Sequence, residues 1–274
     1  MDKKKDSLDL TVPSNKAKSK ELEPDISSAI FGMTVQNQPI NVLYRVNSKR
    51  NSKKKPMHQL EIQAGTIKAV TTAKKLDAAE AQMLDYLFYT YANTPNHDND
   101  GTVIFTVSDY LKTFNKTDRK SAKRSIIKRL DALYDTSYKY FGGRKNDPYD
   151  PQYSGKFHLL SYIQNRGVFI VKWDPIFYEA FIANHIMPMP HSKYGFILNP
   201  RKEATALYVL RALEENKRKN ASNPDRQNWM KVSTLLEYVP SLKTPEELKE
   251  EGDRHYYDRI IEPIYKAVER LARP

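Results

Sequence analysis

The sequence predicts an α+β fold made of two similar modules that follow a polar, basic N-terminal segment. Its 274 residues are enough for two domains that each bury a core. Runs of alternating and β-branched residues stand between helical periodicities, as in a mixed fold. The pattern VSDYLKTF in the first half is echoed by VSTLLEYV in the second. We therefore expect a flexible, disordered basic segment over residues 1–58, a first domain over 59–190 and a second over 191–274.

The first module begins with a strand, a helix, a strand and a short helix. The run LEIQAGTIKAV alternates apolar and polar residues, as a half-buried strand does. Asp77 then precedes a stretch with apolar residues at helical spacing and is the expected N-cap. The β-branched residues of 102–106 predict a strand, and residues 107–114 predict a short helix capped by Thr106 or Ser108.

An amphipathic helix and a hairpin complete the first module. After a turn at Asn115, residues 116–133 predict a helix with one apolar stripe, formed by Ile126, Ile127, Leu130 and Leu133. The runs FHLLSYI and VFIVKW are strand-like and are joined by the polar turn QNRG, which indicates a hairpin. This order of elements is that of a winged helix, in which the second helix of a helix-turn-helix enters the major groove of DNA.

The second half repeats this order in part. Asn199 and Pro200 are expected to begin a helix, and the run NWMKV corresponds to the strand TVIFT. VSTLLEYV and the stretch IIEPIYKAVERL then stand where the helix-turn-helix of the first module stands. Pro263 lacks a backbone donor and should kink or restart the last helix. The predicted fold class is therefore α+β, with two tandem winged-helix (helix-turn-helix) domains.

Positive charge is concentrated on the predicted helix 116–133. The chain has 45 Lys and Arg against 33 Asp and Glu, a net charge of +12, which favours polyanionic partners. Between Lys116 and Arg129, seven cations stand against the single acid Asp118, and those at positions 116, 120, 123 and 124 lie three or four residues apart on the surface opposite the isoleucines. Such a helix repels itself, and an anionic partner relieves the repulsion. The candidate DNA-binding residues here are Lys116, Thr117, Arg119, Lys120, Ser121, Lys123, Arg124 and Lys128.

Hydroxyl groups and two further regions add candidate contacts. Thr117, Ser121 and Ser125 can donate to phosphates or base edges, although Thr117 is equally suited to cap the helix. The loop and hairpin beyond the helix offer cations that either reach a neighbouring groove or are ordinary surface charge: Arg144, Lys145, Lys156 and Arg166. The second module offers Arg254, His255, Tyr256, Tyr257 and Arg259, with packing of the tyrosines as the alternative.

The C-terminal part resembles a known family. The stretch YYDRIIEPIYKAVERL, preceded by MKVSTLLEYV, is similar to the second winged helix of plasmid and phage replication initiators, with Ile261, Glu262 and Pro263 as matching residues. The resemblance implies two winged helices in tandem that bind repeated origin sites, one of them also serving dimerisation. Two features differ from the family. Its main base-contacting helix lies in the second module, whereas the densest charge here is in the first. A second wing is expected after the last helix, so that wing is absent or the chain is truncated at Pro274.

Enzyme classes find no support in the sequence. It contains no Cys, no GxxxxGK[ST] phosphate loop and no HxH or HExxH pair, so we expect no catalytic activity, no cofactor and no metal. It also lacks an apolar run of about 18 residues and a secretory signal, so the cytoplasm is the expected compartment.

Double-stranded DNA is the expected partner, and no membrane is. A homodimer or self-assembly on repeated sites, and host replication proteins, are further candidates. The favoured function is a sequence-specific replication initiator. Two alternatives stay open: a transcriptional repressor or plasmid or phage regulator with the same DNA-binding surfaces, and a protein-interaction module that binds an acidic partner.

Overall fold

The computed structural model describes most of the chain after residue 77 and three earlier strands. The described residues are 30–34, 58–64, 67–73, 77–94, 100–141, 155–175, 178, 186–190, 196–227, 229–239 and 241–272. The expectation of flexibility concerns mainly residues 1–29 and 35–57, which lie outside these ranges.

Helices and strands alternate through the first part, and helices alone follow in the described C-terminal part. The first elements are β1 (Ile30–Thr34), β2 (His58–Ala64), β3 (Ile67–Ala73), α1 (Ala78–Asn93), β4 (Thr102–Thr106), α2 (Val107–Thr113) and α3 (Arg119–Tyr134). The strands β5 (Ser137–Phe141), β6 (Gly155–His158), β7 (Leu160–Asn165), β8 (Val168–Trp173) and β9 (Ile186–Pro190) come next. The remaining elements are α4 (Ala204–Lys219), α5 (Pro224–Gln227), α6 (Val232–Tyr238), α7 (Pro245–Glu250), a π-helical turn (Tyr257–Ile261) and α8 (Glu262–Ala272).

The elements from α1 to β8 contain a winged helix, as the sequence predicts. Strands β4, β8 and β7 form a three-stranded antiparallel sheet in that order, so the hairpin β7–β8 is the wing. Helix α2 and helix α3 form the helix-turn-helix between β4 and the wing. A second antiparallel sheet, in the order β2-β3-β5-β6, joins two strands that precede α1 in the chain to two strands that lie between α3 and the wing hairpin in the sequence.

The core lies between α1, the inner face of the wing sheet and the apolar stripe of α3. Residues alternate along β8, which buries Phe169, Val171 and Trp173 and exposes the residues between them. Phe88 of α1 stacks on Trp173 with ring centroids 5.0 Å apart. The α3 stripe is confirmed: Ile126, Leu130 and Leu133 are fully buried, and Ile127 is half-buried.

Three expectations about strands are wrong. LEIQAGTIKAV is two strands, because Ala64 pairs with Ile67 in an antiparallel register. The glycine in this run is typical of a hairpin turn, but the alternation of apolar and polar residues favoured one continuous strand. Residues 30–34, expected to be flexible, form β1, which pairs with β9 and packs against α1. Residues 229–231 form no strand, and the described residues after Pro190 include no strand that could pair with them.

The C-terminal helices begin where capping groups and proline allow. Helix α4 begins at Ala204, later than expected, because the Asn199 side chain accepts from the Arg201 amide at 3.0 Å and closes a turn. The Glu203 carboxylate accepts from the Asn199 amide at 2.7 Å and completes that turn. In place of the kink or restart expected at Pro263, the chain stays helical, and a π-helical turn ends at Ile261, two residues before the proline, where α8 follows.

Polar side chains on the buried helix α1 connect the winged helix to the C-terminal helices. The Gln82 amide donates to the Leu198 carbonyl at 3.0 Å and to the Phe196 carbonyl at 3.4 Å. Asp85 accepts from Arg211 of α4, and both side chains are 9% exposed. Such a buried ion pair holds its two helices together mainly because separating the charges would leave each one uncompensated.

Substitution of Gly101 tests the packing at the start of β4. Gly101 has a φ of +76°, and a Cβ there would lie 2.7 Å from Cδ2 of Tyr178. Gly252 has a φ of +72° with nothing within 4 Å of such a Cβ, so Gly252→Ala is the matched control for backbone strain alone. We expect Gly101→Ala to lower the free energy of unfolding by about 2–4 kcal/mol and Gly252→Ala by about 1–2 kcal/mol, measured by urea denaturation. Equal losses would show that the Tyr178 contact adds nothing.

The N-terminus of α1 makes stability depend on pH. Burial, aided by the Asp77 carboxylate, raises the pKa of Glu80 from 4.5 to about 8. The folded protein therefore retains this proton while the unfolded chain loses it, so stability falls as pH rises from about 4.5 to 8. Glu80→Gln keeps the acceptor for the Asp77 amide and should flatten this fall, as followed by thermal melts at several pH values. Glu247→Gln, at the same position of the α7 capping box but only half-buried, is the control. An unchanged profile in Glu80→Gln would contradict the assignment.

Candidate nucleic-acid interface

Helix α3 begins later than the sequence indicates. Asp118 is its N-cap, because the side chain accepts from the Ser121 amide at 3.0 Å, and the helix starts at Arg119. Thr117 is therefore not the cap, and Lys116 and Thr117 lie exposed on the turn before the helix. A carboxylate in this position also interacts favourably with the helix dipole, which explains why the one acid of the cluster stands here.

Four cations form the outer surface of α3. Lys120, Arg124 and Lys128 are exposed and Lys123 is half-buried; we call these four residues the α3 cation surface. Within the described ranges, no carboxylate lies within 4.0 Å of any of them. Exposed helical cations usually alternate with acids, so this surface is open to an external anion. Ser121, on the same helix, is exposed as well.

Arg129 does not face outward, in contrast to the expectation for the whole cluster. It is 7% exposed and donates from Nη1 to the Tyr110 hydroxyl at 2.7 Å. The physical reason is its spacing of three residues from Ile126 and four from Leu133, which places it beside the apolar stripe. Fewer cations therefore face outward on α3 than the sequence between Lys116 and Arg129 contains.

The wing turn adjoins the start of α3. Arg166 is exposed at this turn with a φ of 46°, and the Gly167 carbonyl accepts from the Val107 amide at 3.0 Å. Arg119 donates to the Ser108 hydroxyl at 3.3 Å and lies against Gly167. Arg119 and Arg166 thus share one end of the surface. Arg144 and Lys145 lie outside the described residues, and Lys156 lies in β6, where only the backbone is described.

The C-terminal candidates have a different electrostatic environment. Arg254, His255, Tyr256, Tyr257 and Arg259 are all exposed, and Tyr257 is 64% exposed. However, the Arg259 Nε lies 3.2 Å from the Asp253 carboxylate, and the His255 Nδ1 lies 3.8 Å from that of Asp258. One of the two arginines here, Arg259, is therefore matched by an acid, unlike the cations of the α3 cation surface.

Sequence patterns missed one cation near α3. Arg201 lines a groove together with Arg124 and Lys128, although more than 70 residues separate it from them. Its sequence neighbours indicate only a turn before a helix. The tertiary contact of this segment with α1 brings it to α3.

The fold and its open cationic helix define a winged-helix protein. Residues 66–184 match the family model of the first winged-helix domain (WH1) of initiator replication proteins. The resemblance to replication initiators is thereby confirmed for this part of the chain.

Solved structures of domains 2 and 3 of RctB are also similar to this chain. One is 15% identical with a TM-score of 0.41 and covers 85% of this chain and 86% of that one. Another is 18% identical with a TM-score of 0.37 and covers 67% of this chain and 69% of that one. No curated protein matches the sequence. In the described residues, no helix is long and apolar enough to cross a membrane, and no group of three or more His, Cys, Asp or Glu could hold a metal.

The N-cap of α3 can be tested by a pair of substitutions. Asp118→Ala removes the acceptor for the Ser121 amide and should lower the free energy of unfolding by about 1 kcal/mol. Asp118→Asn keeps a side-chain acceptor and should stay close to the wild type, as measured by urea denaturation. If both variants lose the same stability, the charge and not the cap is what matters at this position.

Proposed function

We propose that this chain is a replication initiator that binds repeated sites in double-stranded DNA with sequence specificity and catalyses no reaction. The α3 cation surface is the observation that supports this most. Its four cations have no carboxylate partner among the described residues. They also lie on the second helix of a helix-turn-helix, which is the helix that contacts DNA in this motif. The match of residues 66–184 to the WH1 domain of initiator replication proteins supports the role in replication.

In the proposed complex, the N-terminal half of α3 enters a major groove. Lys120 and Arg124 then lie closest to base edges and flanking phosphates, and Ser121 offers a hydroxyl. Arg166 on the wing turn contacts phosphates of the adjoining backbone. Each phosphate that a cation neutralises releases about one counterion, so the affinity should fall steeply with salt.

The C-terminal helices form the second DNA-binding module in this proposal. Helix α6, helix α7 and the helix containing Tyr257 follow one another as the helices of a second helix-turn-helix would. The exposed Tyr256, Tyr257 and Arg254 offer flat surfaces and donors for base contacts. Because Asp253 offsets the charge of Arg259 here and no acid offsets the α3 cation surface in the described residues, we assign most of the phosphate affinity to α3 and base discrimination to both modules.

The proposal includes a cytoplasmic homodimer or self-assembly on repeated sites, with host replication proteins as further partners. The outer face of the wing sheet supports association. Ile104 pairs in register with Ile170, which pairs with Ile163, and these side chains are 56%, 41% and 68% exposed. A row of three exposed isoleucines is apolar surface that a protein partner would remove from water.

The double variant Lys120→Ala and Arg124→Ala tests the role of α3. We expect its affinity for a selected duplex to fall roughly a hundredfold, and the slope of log affinity against log salt to decrease by about 2, because two phosphate or base contacts are lost. Fluorescence anisotropy titrations at four salt concentrations measure both quantities. The duplex comes from selection of bound sites out of a random library.

Lys172→Ala with Lys243→Ala is the matched control. It removes the same net charge, but from cations that already pair with Asp100 and Glu251. An equal loss in both double variants would mean that only net charge matters, and unchanged binding in the α3 variant would refute the assignment. Direct repeats among the selected sites favour an initiator, and a single palindrome favours a dimeric repressor. Binding to no duplex would favour a protein partner instead.

A further inference from the structure

A groove of about 540 Å³ separates the outer flank of α3 from the segment Phe196–Arg201. Its volume lies in the range of small-ligand sites, roughly 300–1,000 Å³. Five cations line it, and none of its lining residues is acidic, as far as the structure describes them: Lys116, Arg124, Lys128, Arg129 and Arg201. Phe114 and Phe196 form part of its apolar wall. The groove therefore gathers positive charge in a partly enclosed space.

Arg129 is the most deeply buried of these cations. Its guanidinium has five N–H donors, and the hydrogen bond that the structure gives it is to the neutral hydroxyl of Tyr110. Among the described residues, no carboxylate lies within 4.0 Å of it, although the side chain is only 7% exposed; its charge acts on the Asp77 carboxylate, whose pKa it helps to lower, without a direct ion pair. A buried charge without a direct ion pair is costly, so an anion beside Arg129 would stabilise the fold.

Lys116, a second cation of the groove, is repelled by the charge of Arg129. Its ammonium lies 5.7 Å from the ring centre of Tyr110 and 5.3 Å from that of Phe114. Although Lys116 as a residue is exposed, desolvation of its ammonium and repulsion from Arg129 lower the pKa of Lys116, so the two cations disfavour each other. An anion between them would remove this repulsion.

Neutral donors at the groove suit a tetrahedral oxyanion. Ser121 and Ser125 of α3 line it, and so do Asn115 and Asn199. Arginines bind phosphate with two parallel hydrogen bonds, and hydroxyls add single ones. We propose that this groove is a phosphate-binding site, filled either by a backbone phosphate of bound DNA or by a free phosphorylated ligand. Only the first source rests on the proposed function.

Pyrophosphate and the full chain provide the test. At a concentration ten times Kd, pyrophosphate should raise the Tm of the wild type by about 3–6 °C. Arg201→Gln, a change at an exposed residue, should raise the Kd for pyrophosphate about tenfold, measured by calorimetry. Lys120→Gln is the control, because it removes the same charge from α3 outside the groove.

Arg129→Gln separates a ligand-binding role from a structural one. Glutamine keeps a donor for Tyr110 and removes a buried charge that has no direct ion pair, so the free variant should melt no lower than the wild type and lose the shift with pyrophosphate. A variant that melts lower yet keeps the full shift would overturn the proposal. The absence of a shift in the wild type, or equal losses in the Arg201 and Lys120 variants, would overturn it too.

Competition with duplex DNA identifies the source of the phosphate. If DNA fills the groove, pyrophosphate should weaken duplex binding more than chloride of the same ionic strength, and Arg201→Gln should lower the salt slope by about 1. If a free ligand fills it, duplex and pyrophosphate should bind together. Should no duplex bind at all, the proposed function fails while the pyrophosphate measurements still decide the fate of the groove.

Discussion

Helix α1 is buried on all sides over two of its turns, and the packing of the described chain depends on the neighbours that cover it. All eight residues from Ala81 to Phe88 are buried, so they must meet neighbours in every direction around the axis. Two of the eight, Gln82 and Asp85, have polar side chains that must be satisfied internally. Their partners come from the segment at Phe196 and from α4, far along the chain. The helix at the centre of the winged-helix core is therefore also the attachment point of the C-terminal helices.

Helix α3 tolerates its own repulsion because its inner face is well anchored. The α3 cation surface contains three pairs of like charges at spacings of three or four residues, and each costs roughly 0.2–0.5 kcal/mol. Full burial of one Leu or Ile side chain contributes roughly 1.5–3 kcal/mol, and Ile126, Leu130 and Leu133 are all fully buried. Packing outweighs repulsion severalfold, so the fold can present cations outward without a matching acid.

Local signals in the sequence predicted the elements that depend on neighbouring residues. The cap at Asp77, the stripe of α3 and the wing hairpin each depend on residues a few positions apart. The failures concern contacts between distant segments. The pairing of β1 with β9, the position of Arg201 beside α3 and the lack of a partner strand near residue 230 have no local signature. Arg129 is an intermediate case, because its spacing placed it beside the stripe while its charge suggested the surface.

The attachment through α1 also bears on how two DNA-contacting parts would act together. With a flexible linker, the second contact would benefit only from effective concentration, which falls as the linker lengthens. Here Gln82 binds the carbonyls of Phe196 and Leu198, and the Asp85–Arg211 pair fixes α4 against α1. The entropic cost of fixing the C-terminal helices relative to α1 is therefore incurred during folding and not during binding. The spacing between α3 and the C-terminal helices is consequently a property of the buried core around α1. In the proposed complex, substitutions at Gln82 or Arg211 would therefore change the spacing of the two DNA contacts, although neither residue would touch DNA.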